Sequence, residues 1–180
     1  MTKMSQVIAA FALVALIFSG VSSIANATPK EVVPSPVNLK GLMGATLTPS
    51  DLKNKIVVFQ FFASWCVGCD KTMQEMVELT KGRKDVIYVP VSVDEDVKSA
   101  RSFFTDKSDS VKALETSAFV DTSTEFAARL NVKAVPSVIV ADGQGSVVSR
   151  STGHPSKDRL VEFKTALDNA GIKHSSGASH

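Results

Sequence analysis

Residues 61–79, FFASWCVGCDKTMQEMVEL, decide how this chain is read. They hold both cysteines of the 180-residue chain, Cys66 and Cys69, with the single tryptophan, Trp65, directly before them. Upstream, Ile56 to Phe62 (IVVFQFF) is an apolar run broken once by Gln60, the pattern of a strand buried on both faces. Downstream, Cys69, Met73, Met76, Val77 and Thr80 share one helical stripe, and Gly82 marks its stop. A strand running straight into C-x-x-C at a helix start sets Cys66 against unpaired N–H groups and the positive dipole end. Such a setting lowers a cysteine pKa from about 8.5 into a range of roughly 3.5 to 7.5. Cys69, three residues on, shares the helical face and reads as the more buried, resolving thiol. The chemistry implied is thiol–disulfide exchange: the Cys66 thiolate attacks a substrate disulfide, a mixed disulfide forms, and Cys69 releases it.

Two plainer readings compete with this one. A zinc half-site needs two more ligands, and the histidines (His154, His174 and His180) all lie far downstream without a second closely spaced pair. An inert structural disulfide between such near neighbours closes too short a loop to stabilise much. The redox reading is favoured, with no metal ligand and no cofactor expected. Met73 and Met76 fit a helix core better than a ligand set.

The first 27 residues, MTKMSQVIAAFALVALIFSGVSSIANA, read as a secretory signal. Lys3 is the positive end, Val7 to Phe18 the apolar run, and Ala25-Asn26-Ala27 the cleavage site. The alternative is an uncleaved membrane anchor, although the run is short for a bilayer span of about 20 residues. Cleavage leaves 153 residues (180 less 27), enough for one domain with its own core. With Lys3 gone, 19 basic residues face 18 acidic ones, and the absence of a basic run argues against nucleic acid. Two cysteines are too few for a disulfide scaffold, so their reactivity is the reason for them.

Residues 28–40 (TPKEVVPSPVNLK carries three prolines) form an extended lead-in, 41–172 the domain, and 173–180 a flexible tail. A second strand is expected over Val86 to Val93, where Pro90 implies a bulge or an edge position. Asp94 to Asp96 cap a helix with Val97, Ala100 and Phe104 on one face. A short helix is expected near Val111 to Leu114, and a short strand over Ala118 to Val120. Thr122-Ser123-Thr124-Glu125 reads as a capping box opening the helix Glu125 to Leu130. Asp142-Gly143-Gln144-Gly145 joins the strands Ser137–Ala141 and Ser146–Arg150 as a hairpin. Ser156 caps a last helix that buries Leu160, Phe163, Leu167 and Ala170 and ends at Gly171. Early strand–helix alternation followed by a hairpin and helix predicts an α/β fold with a mixed sheet.

The segment FFASWCVGCDKTMQEM resembles the active-site segment of thioredoxin-fold proteins, and its surroundings resemble their exported TlpA/ResA-like branch. The resemblance runs from about Val37 to Ala170, through NLKGLMGATLTPSDLKNKIVVFQFFASWC, VPVSVDED and FVDTSTEFAARLNVKAVPSVIVADGQGSVV. It implies a thioredoxin-like fold, a mixed central sheet flanked by helices, with a TlpA-like central insertion. The 70 residues between Cys66 and Pro136 are consistent with that insertion. The resemblance also implies that Pro136 is a cis-proline opposite the disulfide, that Val135 offers backbone groups to a substrate strand, and that Trp65 shields the sulfurs and contacts substrate. Read alone, Pro136 is a strand-start proline and Trp65 a core aromatic.

Departures from the pattern matter too. Gln60 stands where thioredoxins carry a buried acid, so Cys69 must lose its proton by another route. Val67-Gly68 lacks the branch's usual proline, Gln74 replaces a helix-kinking proline, and Ser137 replaces the acid of the cytochrome c maturation subgroup. The motif dipeptide Val67 and Gly68 supplies no charge or side-chain donor, which favours a reductant of protein disulfides. The alternatives are an oxidant that donates disulfides to folding proteins, or a Cu(I) or cytochrome-assembly binding protein. Expected partners are protein thiol or disulfide substrates and a membrane electron-donor or disulfide-donor protein. The expected setting is a periplasmic monomer.

Overall fold

The computed structural model describes residues 30–176 apart from 36 and 38. The signal-peptide reading of residues 1–27 lies outside the described residues, as does 177–180 of the tail. In chain order come β1 (Leu39–Gly41), β2 (Thr46–Leu47), α1 (Pro49–Leu52), β3 (Ile56–Phe62) and α2 (Cys69–Thr80). Next are β4 (Val86–Ser92), α3 (Val97–Ser102), α4 (Asp109–Lys112), a 3-10 turn (Ala113–Ser117) and β5 (Phe119–Val120). The chain closes with α5 (Glu125–Arg129), β6 (Ser137–Ala141), β7 (Val147–Thr152) and α6 (Lys157–Ser176). The strands form one seven-stranded sheet in the order β2-β1-β5-β4-β3-β6-β7. β3 runs parallel to β4 and antiparallel to β6, so the sheet is mixed as expected. Among the described residues no helix is long and apolar enough to cross a membrane.

β3 explains its own apolar run. All seven of its residues are buried, because layers cover both faces. Val57, Phe59 and Phe61 pack with Phe126, Leu130 and Ile139 on one side. Ile56 and Val58 meet Met76, Phe163 and Leu167 of α2 and α6 on the other. Phe62, at the strand's end, joins Cys69, Met73, Phe103 and Phe104, so the segment inserted between β4 and β5 closes over the start of α2. Each fully buried side chain of this size contributes about 1.5–3 kcal/mol. Met73 and Met76 are core residues.

Pro90 takes the edge position expected of it, without a bulge: β5 is two residues long and pairs only with Val91 and Ser92. Residues 86–90 of β4 therefore have a sheet neighbour on one side only. Several local expectations need correcting. The capping box at Thr122–Glu125 does not form. Thr124 is left-handed (φ 55°), and the Asp121 carboxylate instead accepts the Ala127 N–H at 2.8 Å. Gly171 does not end the last helix, which continues to Ser176, so the tail expected from residue 173 begins inside α6. Gly171 is small for another reason: a Cβ there would lie 3.1 Å from Asp85 Oδ2 and 3.2 Å from an Arg83 nitrogen. The described part of the lead-in packs on the domain. Val37 and Leu39 are core residues, and Val32 bridges Ser146.

Candidate active site

β3 delivers its C-terminal end to the surface, and the two cysteines follow within a few residues. Cys66 and Cys69 form a disulfide with Cα atoms 5.7 Å apart. The helix starts later than the sequence suggests: α2 begins at Cys69, with Gly68 (φ 87°) as its N-cap. Cys66 thus lies in the turn ahead of the helix rather than on its face. Its sulfur reaches the helix start through the bond to Cys69. The two thiols are unequal in exposure, Cys66 retaining 8 % and Cys69 none.

The antiparallel register of β3 and β6 brings in the second half of the site. Phe61 pairs with Ser137, which sets Val135 and Pro136 beside the end of β3 although 70 residues separate Pro136 from Cys66. The Val135–Pro136 bond is cis. Pro136 is buried and Val135 half-buried. Trp65 is 70 % exposed, which overturns its reading as a core aromatic, and Val67 is 96 % exposed. Trp65, Val93, Ala127, Val132 and Val135 line an apolar hollow of about 220 Å³ next to the disulfide. A larger hollow of about 790 Å³ lies at the other end of β3, against Val57 and the Asp142–Gly145 loop, remote from the sulfurs.

Three hydrogen-bonded groups hold this geometry, and sequence reading finds none of them. Gln60 is fully buried. Its Nε2 donates to the Cys69 carbonyl at 3.1 Å, and its Oε1 accepts from the Tyr88 hydroxyl at 2.7 Å. Burial pushes the Tyr88 phenol well above its ordinary value of 10, so it stays a donor. Gln60 therefore does a positional task where a carboxyl would do a protonic one. Second, the Ser64 N–H and hydroxyl donate to the Asp94 carboxylate at 2.9 and 2.7 Å, and the Ser92 hydroxyl donates to it at 2.6 Å. The sequence suggests that Asp94 helps to cap α3. Asp96 does that through the Ser99 N–H, and Asp94 anchors the residue before Trp65 to the end of β4. Third, Thr72 meets His154 at 3.0 Å on the far side of the turn. A signal for the second group is present in the VPVSVDED segment. The partners of Gln60 and His154 sit on other elements and carry no local pattern.

Comparison with known proteins agrees with this geometry. A family model described as a thioredoxin-like domain matches residues 45–170. The thiol-disulfide oxidoreductase ResA of Bacillus cereus is 27% identical over 124 residues, 68% of this chain and 69% of its own. Among solved structures, dsbF of MTB, seen in mixed oxidized and reduced forms, aligns with TM-score 0.62 and 26% identity over 75% of this chain and 98% of that one. A thiol-disulfide oxidoreductase from Bacteroides fragilis NCTC 9343 shares the fold, with TM-score 0.62 and 19% identity over 76% and 99% of the two chains.

Proposed function

The chain belongs to the thioredoxin-like domain family and is a thiol-disulfide oxidoreductase, and from that premise we propose that it is an exported reductant of protein disulfides with Cys66 as nucleophile and Cys69 as resolving thiol. The observation that carries the assignment of roles is the unequal exposure of the two sulfurs' residues. A client can approach Cys66, which keeps 8 % of its surface, whereas Cys69 keeps none and can act only from within. The Cys66 thiolate attacks one sulfur of the client's disulfide and expels the other as thiolate. Cys69, deprotonated, then attacks Cys66 in the mixed disulfide. The protein is left oxidised and the client holds two thiols. Trp65, Val135 and Pro136 form the surface on which a client strand lies, and the apolar hollow beside Trp65 accepts a side chain flanking the client cysteine.

Direction rests on the dipeptide between the cysteines. Neither Val67 nor Gly68 offers the reduced Cys66 a charge or a side-chain hydrogen bond, and a poorly stabilised thiolate makes the reduced form the better electron donor. The leader-like residues 1–27 support export to an oxidising space, where a reductant needs a membrane electron-donor protein to recharge it. The domain acts as a monomer in this reading. Equilibration against glutathione tests the direction. A potential below about −220 mV supports a reductant, whereas one near about −120 mV makes the protein a disulfide donor.

A further inference from the structure

His154 is absent from the exchange chemistry above, yet it joins the two halves of the site. Thr72, fully buried on the first turns of α2, gives its hydroxyl hydrogen to the Gly68 carbonyl at 3.1 Å, the same carbonyl that accepts the Thr72 N–H at 3.1 Å. The Thr72 oxygen also meets His154 Nδ1 at 3.0 Å, so one side chain sits between the Gly68 carbonyl and the imidazole. Across the ring, His154 Nε2 lies 3.4 Å from Glu75 Oε1. The other Glu75 oxygen is buried with no partner among the described residues, so the ring is the group that carboxylate faces. One residue before, the Gly153 N–H donates to the Pro136 carbonyl at 2.7 Å. A continuous tie therefore runs from the cis-proline segment through Gly153, His154 and Thr72 to the glycine between the two cysteines.

We infer that His154 is a positioning residue of the dithiol site: through Thr72 it holds the Gly68 carbonyl, and so the turn between Cys66 and Cys69, in the geometry of the closed disulfide. The inference rests on the oxidoreductase reading and deepens it. Threonine back-bonding to a carbonyl four residues earlier is an ordinary helical feature. Here the imidazole meets the Thr72 oxygen from the other side and so holds that side chain over the Gly68 carbonyl. When the disulfide is reduced the sulfurs part, and the turn that carries them loses the constraint of the S–S bond. A tie that fits the oxidised turn better than the reduced one favours oxidation of the dithiol, which strengthens it as a reductant.

The test is the equilibrium between reduced protein and oxidised glutathione, which yields the protein disulfide and two reduced glutathione molecules. His154→Leu should lower that equilibrium constant about three- to tenfold, the scale of one hydrogen bond. Thr72→Val should do the same, and the double variant should fall no further than either single one, since both remove one tie. His154→Asn, which can place an amide group where Nδ1 stands, should restore most of the loss. An unchanged constant in His154→Leu, or additive losses in the double variant, would overturn the inference while leaving the oxidoreductase reading intact. Wild-type protein that fails to equilibrate with glutathione at all would overturn both.

Discussion

Gln60 shows what a single residue can and cannot disclose. Its polarity inside IVVFQFF marks a buried polar site, and the resemblance marks the missing acid. Neither tells what it bonds, because Cys69 and Tyr88 reach it from other elements. Tyr88→Phe removes the donor that satisfies Gln60 Oε1 and leaves that oxygen orphaned in a fully buried position. A loss of about 1–3 kcal/mol is expected, read as a lower denaturant midpoint with unchanged slope. No change in midpoint would mean that Gln60 finds another donor. Cys66, Cys69 and Pro136 are legible because each belongs to a short motif, whereas Asp94 and His154 act through contacts that only the folded chain creates.

Elements are legible where burial sets the pattern and obscure where their ends are set by side chains from elsewhere. β3 has the bounds expected, since a strand covered on both faces is apolar at both of its ends, and its one polar residue, Gln60, is interior. α5 also forms where expected, but the sequence points to the wrong residue as its cap. Thr122 and Glu125 match the sequence form of a capping box, yet the left-handed Thr124 turns the chain so that Asp121, directly after β5, reaches the Ala127 N–H. Asp121→Ala should therefore destabilise the domain by about 1 kcal/mol, and Thr122→Ala should leave its thermal midpoint unchanged. The reverse order of effects would restore the capping box. Gly171 misleads for a related reason: its small size serves the Arg83–Asp85 pair packed against α6, and a sequence shows only that a glycine is there.

At the scale of the whole molecule, the sheet does the work of assembly. Only the antiparallel placement of β6 beside β3 carries Pro136 to the cysteines, and sequence reading reaches that juxtaposition by resemblance rather than by derivation. Salt bridges tie the periphery to this core. Arg83 pairs with Asp85 and Asp168, linking the chain before β4 to α6, and Lys30 pairs with Asp142 in the β6–β7 turn. Burial raises the Asp142 carboxyl, but the Ser146 and Gln144 N–H groups and Lys30 outweigh it, leaving its pKa below the ordinary 3.8. The Arg83 guanidinium holds Asp85 below that value, and Lys164 and Arg83 do so for Asp168. Groups depressed in the folded state contribute stability that is complete above the unfolded pKa and lost as pH falls through the folded one. The domain should therefore keep its stability down to about pH 4–5 and lose it progressively below, with a shallower loss in Asp142→Asn. Equal slopes in the two proteins, from urea melts at each pH, would remove Asp142 from the account.

The most direct measurement is intact-mass analysis of the trapped mixed disulfide. Reduced Cys69→Ser and Cys66→Ser variants are each mixed with a peptide disulfide, quenched with acid and weighed. The account predicts that Cys69→Ser accumulates one covalently attached peptide while Cys66→Ser stays at its own mass, because the buried Cys69 is closed to clients. Adduct on Cys66→Ser, or none on Cys69→Ser, would contradict it.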